Sequence, residues 1–126
     1  MATIGSLLAQ LHAWVATAGA VIAGLLVLLG ALHGLGILAG RRWLGRLVVA
    51  LVVTLGVAVI LGPGIVIGVR PPSDPTHYLY AFVAVAAVPS AWYAARGSSP
   101  SRTGWWVAAG GLVTLAALLR LWGTGG

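Results

Sequence analysis

The sequence predicts an all-α integral membrane protein, an up-down-up-down four-helix bundle that forms a single transmembrane domain over residues 1–126. Of the 126 residues, 60% are hydrophobic and only 6% are charged, whereas a soluble domain carries about 25% charged residues. Seven arginines and one aspartate are too few to cover a water-soluble fold of this length. Four apolar runs joined by short connections predict four helices with antiparallel neighbours.

The first half of the chain predicts two spans. The first covers residues 7–38, well above the roughly 20 residues that cross a bilayer, and its length favours a retained helix over a cleaved signal peptide. The sequence Gly40-Arg41-Arg42 ends it. The second span covers residues 44–69, and we expect Pro63, between two glycines, to kink or partly unwind it.

The second half begins with a polar segment, residues 70–80, which contains the only acidic side chain. Asp74 followed by Pro75 predicts a helix start, with Asp74 as the N-cap and Pro75 at the first helical position. The third span covers residues 75–95, with a second kink expected at Pro89. After a turn, the fourth span covers residues 103–122.

The arginines predict the orientation. One side holds five of them and the other holds two: Arg41, Arg42, Arg46, Arg96 and Arg102 against Arg70 and Arg120. The positive-inside rule then places both termini and the polar segment outside the cytoplasm. Because the arginines form no continuous stripe, topology explains the net charge of +6 better than nucleic-acid binding does.

Small residues recur at helical spacing, which lets helix backbones approach closely in lipid. The pairs and triplets are Ala16, Ala20 and Gly24; Gly30 and Gly34; Gly64 and Gly68; Gly104 and Ala108. We interpret most of them as contacts within the bundle, and contacts to a partner protein stay an alternative.

The predicted topology brings polar side chains from four helices to the outer side of the membrane. They are His12, Arg70, His77, Tyr80 and Arg120. At 1.5 Å per residue, Arg120 lies about 11 Å, and His77 about 13 Å, from the midpoint of its span. Ionisable groups at such depth mark functional sites by default. Their structural alternatives are snorkelling arginines, interfacial histidines and neighbours of a helix cap.

Two kinds of cofactor suit this cluster. His12 and His77 lie on diagonal helices at similar depth and could be axial ligands of a b-type haem, with Arg70 and Arg120 near its propionates. A quinone or a lipid headgroup could instead bind to His77, Tyr80 and the arginines.

The sequence disfavours a metal site and hydrolytic catalysis. As an N-cap, Asp74 directs its carboxylate at backbone donors and away from a metal. The chain has no cysteine and no second carboxylate, and no serine lies in a nucleophile elbow. His33, near the inner end, has no evident polar partner and is interpreted as a packing or interfacial residue. We therefore predict that the protein is not an enzyme, and the lack of acids within the spans disfavours transport.

The pattern Asp-Pro-x-His-x-Leu-Tyr at residues 74–80, with Pro89, Ala95-Arg96-Gly97 and Leu119-Arg120, resembles small four-helix membrane proteins of bacteria. The resemblance covers the second half of the chain. It implies a location in the bacterial inner membrane and no particular activity. At the level of fold alone, the bundle is also similar to membrane b-type cytochromes and to half of a haem A synthase.

Two functional hypotheses follow. The first is a non-catalytic accessory, anchor or assembly subunit that lies in the lipid bilayer and packs against a larger membrane complex or in a homo-oligomer. The second is a small electron-transfer protein that binds b-type haem or a quinone at the outer cluster. The scarcity of polar groups and the abundance of small-residue surfaces favour the first.

Overall fold

The computed structural model describes residues 3–38, 40–68 and 74–125 and shows four α-helices. They are α1 (Ile4–Gly34), α2 (Arg41–Gly68), α3 (Thr76–Ala94) and α4 (Pro100–Gly125). No β-strand occurs among these residues. The all-α class and the number of helices predicted from the sequence are confirmed.

Three of the helices are long and apolar enough to cross a membrane. These stretches are Ile4–Gly34, Arg42–Gly62 and Pro100–Gly123. The shorter α3, with 19 residues, is not among them, because His77, three tyrosines and Pro89 lower its hydropathy. The membrane crossing of α3 therefore stays a prediction.

Helix α1 ends earlier than its predicted span because a glycine closes it. Gly36 has φ +77°, and its N–H donates to the carbonyl of His33 (3.1 Å) while that of Ile37 donates to the carbonyl of Leu32 (3.0 Å). These two bonds define a Schellman motif, which needs a left-handed residue. Residues 35–38, although apolar, thus form the turn that follows the helix.

Helices α2 and α4 begin three residues before their predicted spans, at Arg41 and Pro100. Hydropathy marks the apolar part of a helix, whereas hydrogen bonding extends it into a polar first turn. Helix α2 continues through Pro63 to Gly68, and α3 continues through Pro89. The partial unwinding expected at Pro63 is therefore not observed, while the two kinks stay predictions.

Helices that follow one another in the chain pack together, and α4 also packs against α1. Helix α1 contacts α2 and α4, α3 contacts α4, and α2 and α3 form the least extensive of these contacts. Helices α1 and α4 run antiparallel, since Gly34 lies against Trp105 whereas Gly19 lies near Leu118. Helices α1 and α3 consequently occupy diagonal positions, as the sequence predicts.

Glycines make the α1–α4 contact unusually close. A Cβ atom added to Gly30 would lie 2.8 Å from the carbonyl oxygen of Gly104 and 2.9 Å from the nitrogen of Ala108. Two of the predicted small-residue pairs therefore pack against each other within the chain. Gly24 differs, because an added Cβ there would meet nothing within 4 Å.

Two hydroxyl groups tie α4 to its neighbours. The buried Thr114 hydroxyl donates to the carbonyl of Ala84 in α3 at 3.1 Å. The Ser101 hydroxyl donates to the carbonyl of Gly34, the last residue of α1. These contacts fix the rotation of α4 and thereby position its C-terminal turns against the start of α3.

Candidate functional site

The start of α3 is fixed by Asp74. Its carboxylate accepts a hydrogen bond from the N–H of Thr76 at 2.9 Å, and its carbonyl accepts one from the N–H of His77 at 3.0 Å. The backbone bond from Thr76, together with a bond from the Thr76 hydroxyl, lowers the pKa of Asp74. Helix α3 begins at Thr76 with Pro75 at the cap position, one residue later than the sequence predicts.

His77, in the first turn of α3, contacts both α4 and α1. Its half-buried imidazole donates a hydrogen bond to the backbone carbonyl of Leu121 and lies within electrostatic range of His12. Its ring also meets that of Tyr78 edge-on, with the centroids 6.4 Å apart. The structure thus brings the two histidines of the predicted outer cluster near each other across the diagonal.

His12 contributes a polar atom that the fold leaves unpaired. The side chain is half-buried, and its Nδ1 atom is buried without a hydrogen-bond partner among the described residues. An imidazole that donates from one nitrogen keeps the other as an acceptor or ligand atom. His12 can therefore offer this nitrogen to a bound group.

The remaining residues of the predicted cluster lie on α3, on α4 or outside the described residues. Tyr80 is half-buried on the same face of α3 as His77, one turn later. Arg120 precedes Leu121 near the end of α4, and its side chain is exposed. Arg70 lies outside the described residues. The contacts of His77 therefore link it to the end of α4 and to His12.

His33 is more deeply placed than its sequence neighbourhood suggests. Its side chain is only 4% exposed, and both ring nitrogens lack a hydrogen-bond partner within the described part of the chain. Its spacing from Leu26 and Gly30 places it on the buried face of α1. That spacing is the signal that identifies it as an interior residue.

Two grooves lie at the end of the molecule where α2 and α4 begin. The larger, about 410 Å³, is lined by Arg42, Gly45, Arg46, Val49 and Trp92. The other, about 290 Å³, is lined by Arg102, Trp105, Trp106 and Ala109. Arg96 at the same end stacks on the ring of Tyr93, 4.3 Å from its centroid. From the sequence, these arginines predicted only the orientation of the helices, and the grooves were not predicted.

No group of three or more His, Cys, Asp or Glu residues in the described ranges is arranged to hold a metal ion. Comparisons of the chain with protein-family models, with curated proteins and with solved structures found no match. The resemblance to bacterial four-helix membrane proteins is therefore still a prediction.

Proposed function

We propose that the protein crosses the bacterial inner membrane four times, with both termini outside. Three helices of sufficient length and hydropathy support this proposal. Helix α3, with 19 residues, is about 28 Å long, close to the roughly 30 Å of a hydrocarbon core, and it packs along α4. The five arginines at one end of the helices support the orientation.

We further propose that it acts as a non-catalytic accessory, anchor or assembly subunit that packs against other membrane helices. The observation that carries this proposal is an unfilled glycine, Gly24 on α1. A Cβ atom there would meet nothing within 4 Å, whereas one at Gly30 or Gly104 would strike the backbone of the opposite helix. Glycines at the surface of a membrane helix permit another backbone to approach closely.

The residues around Gly24 also support packing of another membrane helix against α1. Val21 and Leu28, on either side of it along α1, are 59% and 56% exposed, and both are apolar. The result is an apolar surface with a notch at the glycine, which suits the ridge of a neighbouring helix. The acyl chain of a lipid can also cover an apolar surface, but it does not require the notch at Gly24.

A photo-crosslinking residue at position 21 tests this proposal, with the same residue at position 107 as the control. Val107 is fully buried within the chain. In native membranes we expect position 21 to give one discrete protein adduct, and position 107 to give none. An adduct at twice 12.8 kDa would identify a second copy of the chain, and another mass would identify a different subunit. Lipid adducts alone at position 21 would contradict the proposal.

Cofactor binding at the histidine cluster is the second candidate, and the proximity of His12 and His77 favours it. The bond from His77 to a backbone carbonyl is of the kind that orients imidazole ligands of metals. A b-type haem would be held by the imidazoles of His12 and His77 and would supply one-electron transfer. Absorption spectra of the purified protein, oxidised and then reduced with dithionite, should show a Soret band and a sharp reduced band that His77→Ala abolishes. A spectrum with tryptophan absorption alone would remove haem, while leaving a quinone to be tested separately.

A further inference from the structure

The larger groove at the arginine-rich end lies between α2 and α3, the neighbouring pair that packs least closely. Its lining combines Arg42, Gly45, Arg46 and Val49 of α2 with Trp92 of α3. The groove is a shallow depression of about 410 Å³ that is open along most of its surface.

Two positively charged side chains, Arg42 and Arg46, lie at the mouth of this groove and have no acidic partner among the described residues. Arg42 and Arg46 are four residues apart, so they share one face of α2, and both are exposed. The single acidic residue of the chain, Asp74, precedes α3, whereas Trp92 lies near its other end, about 27 Å away along the helix. Their counter-charge must therefore come from outside the protein.

The groove becomes apolar toward the middle of the helices. A Cβ atom at Gly45 would lie 3.4 Å from Cζ2 of Trp92, so the indole packs over the bare backbone of α2 and forms one wall. Val49, one turn further along, is 61% exposed. Gly56, two turns beyond Val49 on the same face, has nothing within 4 Å of an added Cβ. The groove thus has a cationic end and continues into an apolar seam.

We infer that this groove binds an anionic phospholipid. The phosphate lies between Arg42 and Arg46, whose guanidinium groups match phosphate geometry, and an acyl chain follows Gly45 and Val49 along the seam. Basic pockets between transmembrane helices recognise acidic lipid headgroups in this way. A soluble anion would satisfy only the cationic end. The inference requires the membrane insertion of α2, and it depends neither on a partner subunit nor on the leaflet that this end faces.

Native mass spectrometry of the full chain in detergent, titrated with phosphatidylglycerol, tests this site. The double variant Arg42→Gln/Arg46→Gln should bind the lipid roughly 30-fold more weakly, which corresponds to about 1 kcal/mol for each arginine. Arg46→Gln alone should lose roughly fivefold by the same reasoning. Arg96→Gln is the matched control, because it removes one charge from the same end of the molecule but outside the groove, and it should retain wild-type binding.

Three further measurements distinguish the occupant and its mode of binding. Gly45→Leu, which fills the groove while keeping both arginines, should also weaken binding, with the far-ultraviolet circular dichroism unchanged. Excess inorganic phosphate should not displace the lipid, and phosphatidylcholine should bind more weakly than phosphatidylglycerol. Equal losses in Arg46→Gln and Arg96→Gln would mean general attraction to a positive end and would overturn the proposal. Full displacement by phosphate, or wild-type binding by folded Gly45→Leu, would overturn it as well.

Discussion

The α1–α4 contact gives a sharp prediction for Gly30→Ala. The new methyl group would lie 2.8 Å from the carbonyl oxygen of Gly104 and 2.9 Å from the backbone nitrogen of Ala108. Both atoms belong to the backbone of α4, so no side-chain rotation can relieve the contact. The two helices must move apart instead, which loosens the packing on either side of the contact.

The expected destabilisation is about 3 kcal/mol, the upper part of the range for overpacked cores, because the clash is with backbone atoms. Gly24→Ala provides the control on the same helix. It adds the same methyl group where nothing lies within 4 Å, and it should be neutral or stabilising by up to about 1 kcal/mol through helix propensity.

Unfolding of the purified variants by sodium dodecyl sulfate, followed by far-ultraviolet circular dichroism, measures both free energies. We expect a lower transition midpoint for Gly30→Ala and an unchanged or higher one for Gly24→Ala. A wild-type midpoint for Gly30→Ala would refute the backbone contact between α1 and α4. A loss in Gly24→Ala as large as that in Gly30→Ala would show that α1 is rotated relative to the structure described above.

Further predictions concern the hydrogen bonds and the topology. Thr114→Val removes the bond to the carbonyl of Ala84 and should cost about 0.6 kcal/mol in the same unfolding assay, with Thr114→Ser close to wild type; an unchanged midpoint in both would refute a role for this bond. The lowered pKa of Asp74 means that its stabilisation of α3 is fully present above the ordinary carboxyl pKa of 3.8 and is lost as the pH falls through the lower folded-state value. The protection factor of the His77 amide, its exchange rate relative to that of an unstructured peptide at the same pH, should therefore fall on acidification below that pH. Asp74→Asn should remove this pH dependence; an acid response that persists in Asp74→Asn would assign it to another group. A reporter fused after residue 126 should be active outside the cytoplasm, and activity only inside would reverse the orientation.

The sequence predicted the number and order of the helices because apolar runs and short connections dictate both. It also predicted that α1 and α3 lie diagonally in the bundle. It could not predict the last residue of α1, since residues 35–38 are as apolar as the helix before them. The left-handed Gly36 decides that boundary, and a glycine-rich sequence offers several candidates for such a position.

The sequence could not predict the rotation of each helix about its axis. Small-residue pairs indicated close packing, but they could not show that Gly30 meets Gly104 while Gly24 meets nothing. For the same reason, Arg42 and Arg46 suggested only which end faces the cytoplasm. The groove that they line depends on the packing of Trp92 against Gly45, which the sequence could not predict. These contacts depend on the rotation of each helix relative to its neighbour. Hydropathy carries little information about that rotation when a helix is apolar on all sides.

The proposed role as an accessory subunit is tested most directly by the size of the assembly that contains the chain in its native membrane. Extraction with a mild detergent, followed by native electrophoresis of a tagged chain, should show a complex far larger than 12.8 kDa. Gly24→Leu, which fills the unfilled notch on α1, should release the chain from this complex, whereas Val21→Leu should not. A wild-type chain that migrates alone, or a complex that Gly24→Leu leaves intact, would contradict the proposal.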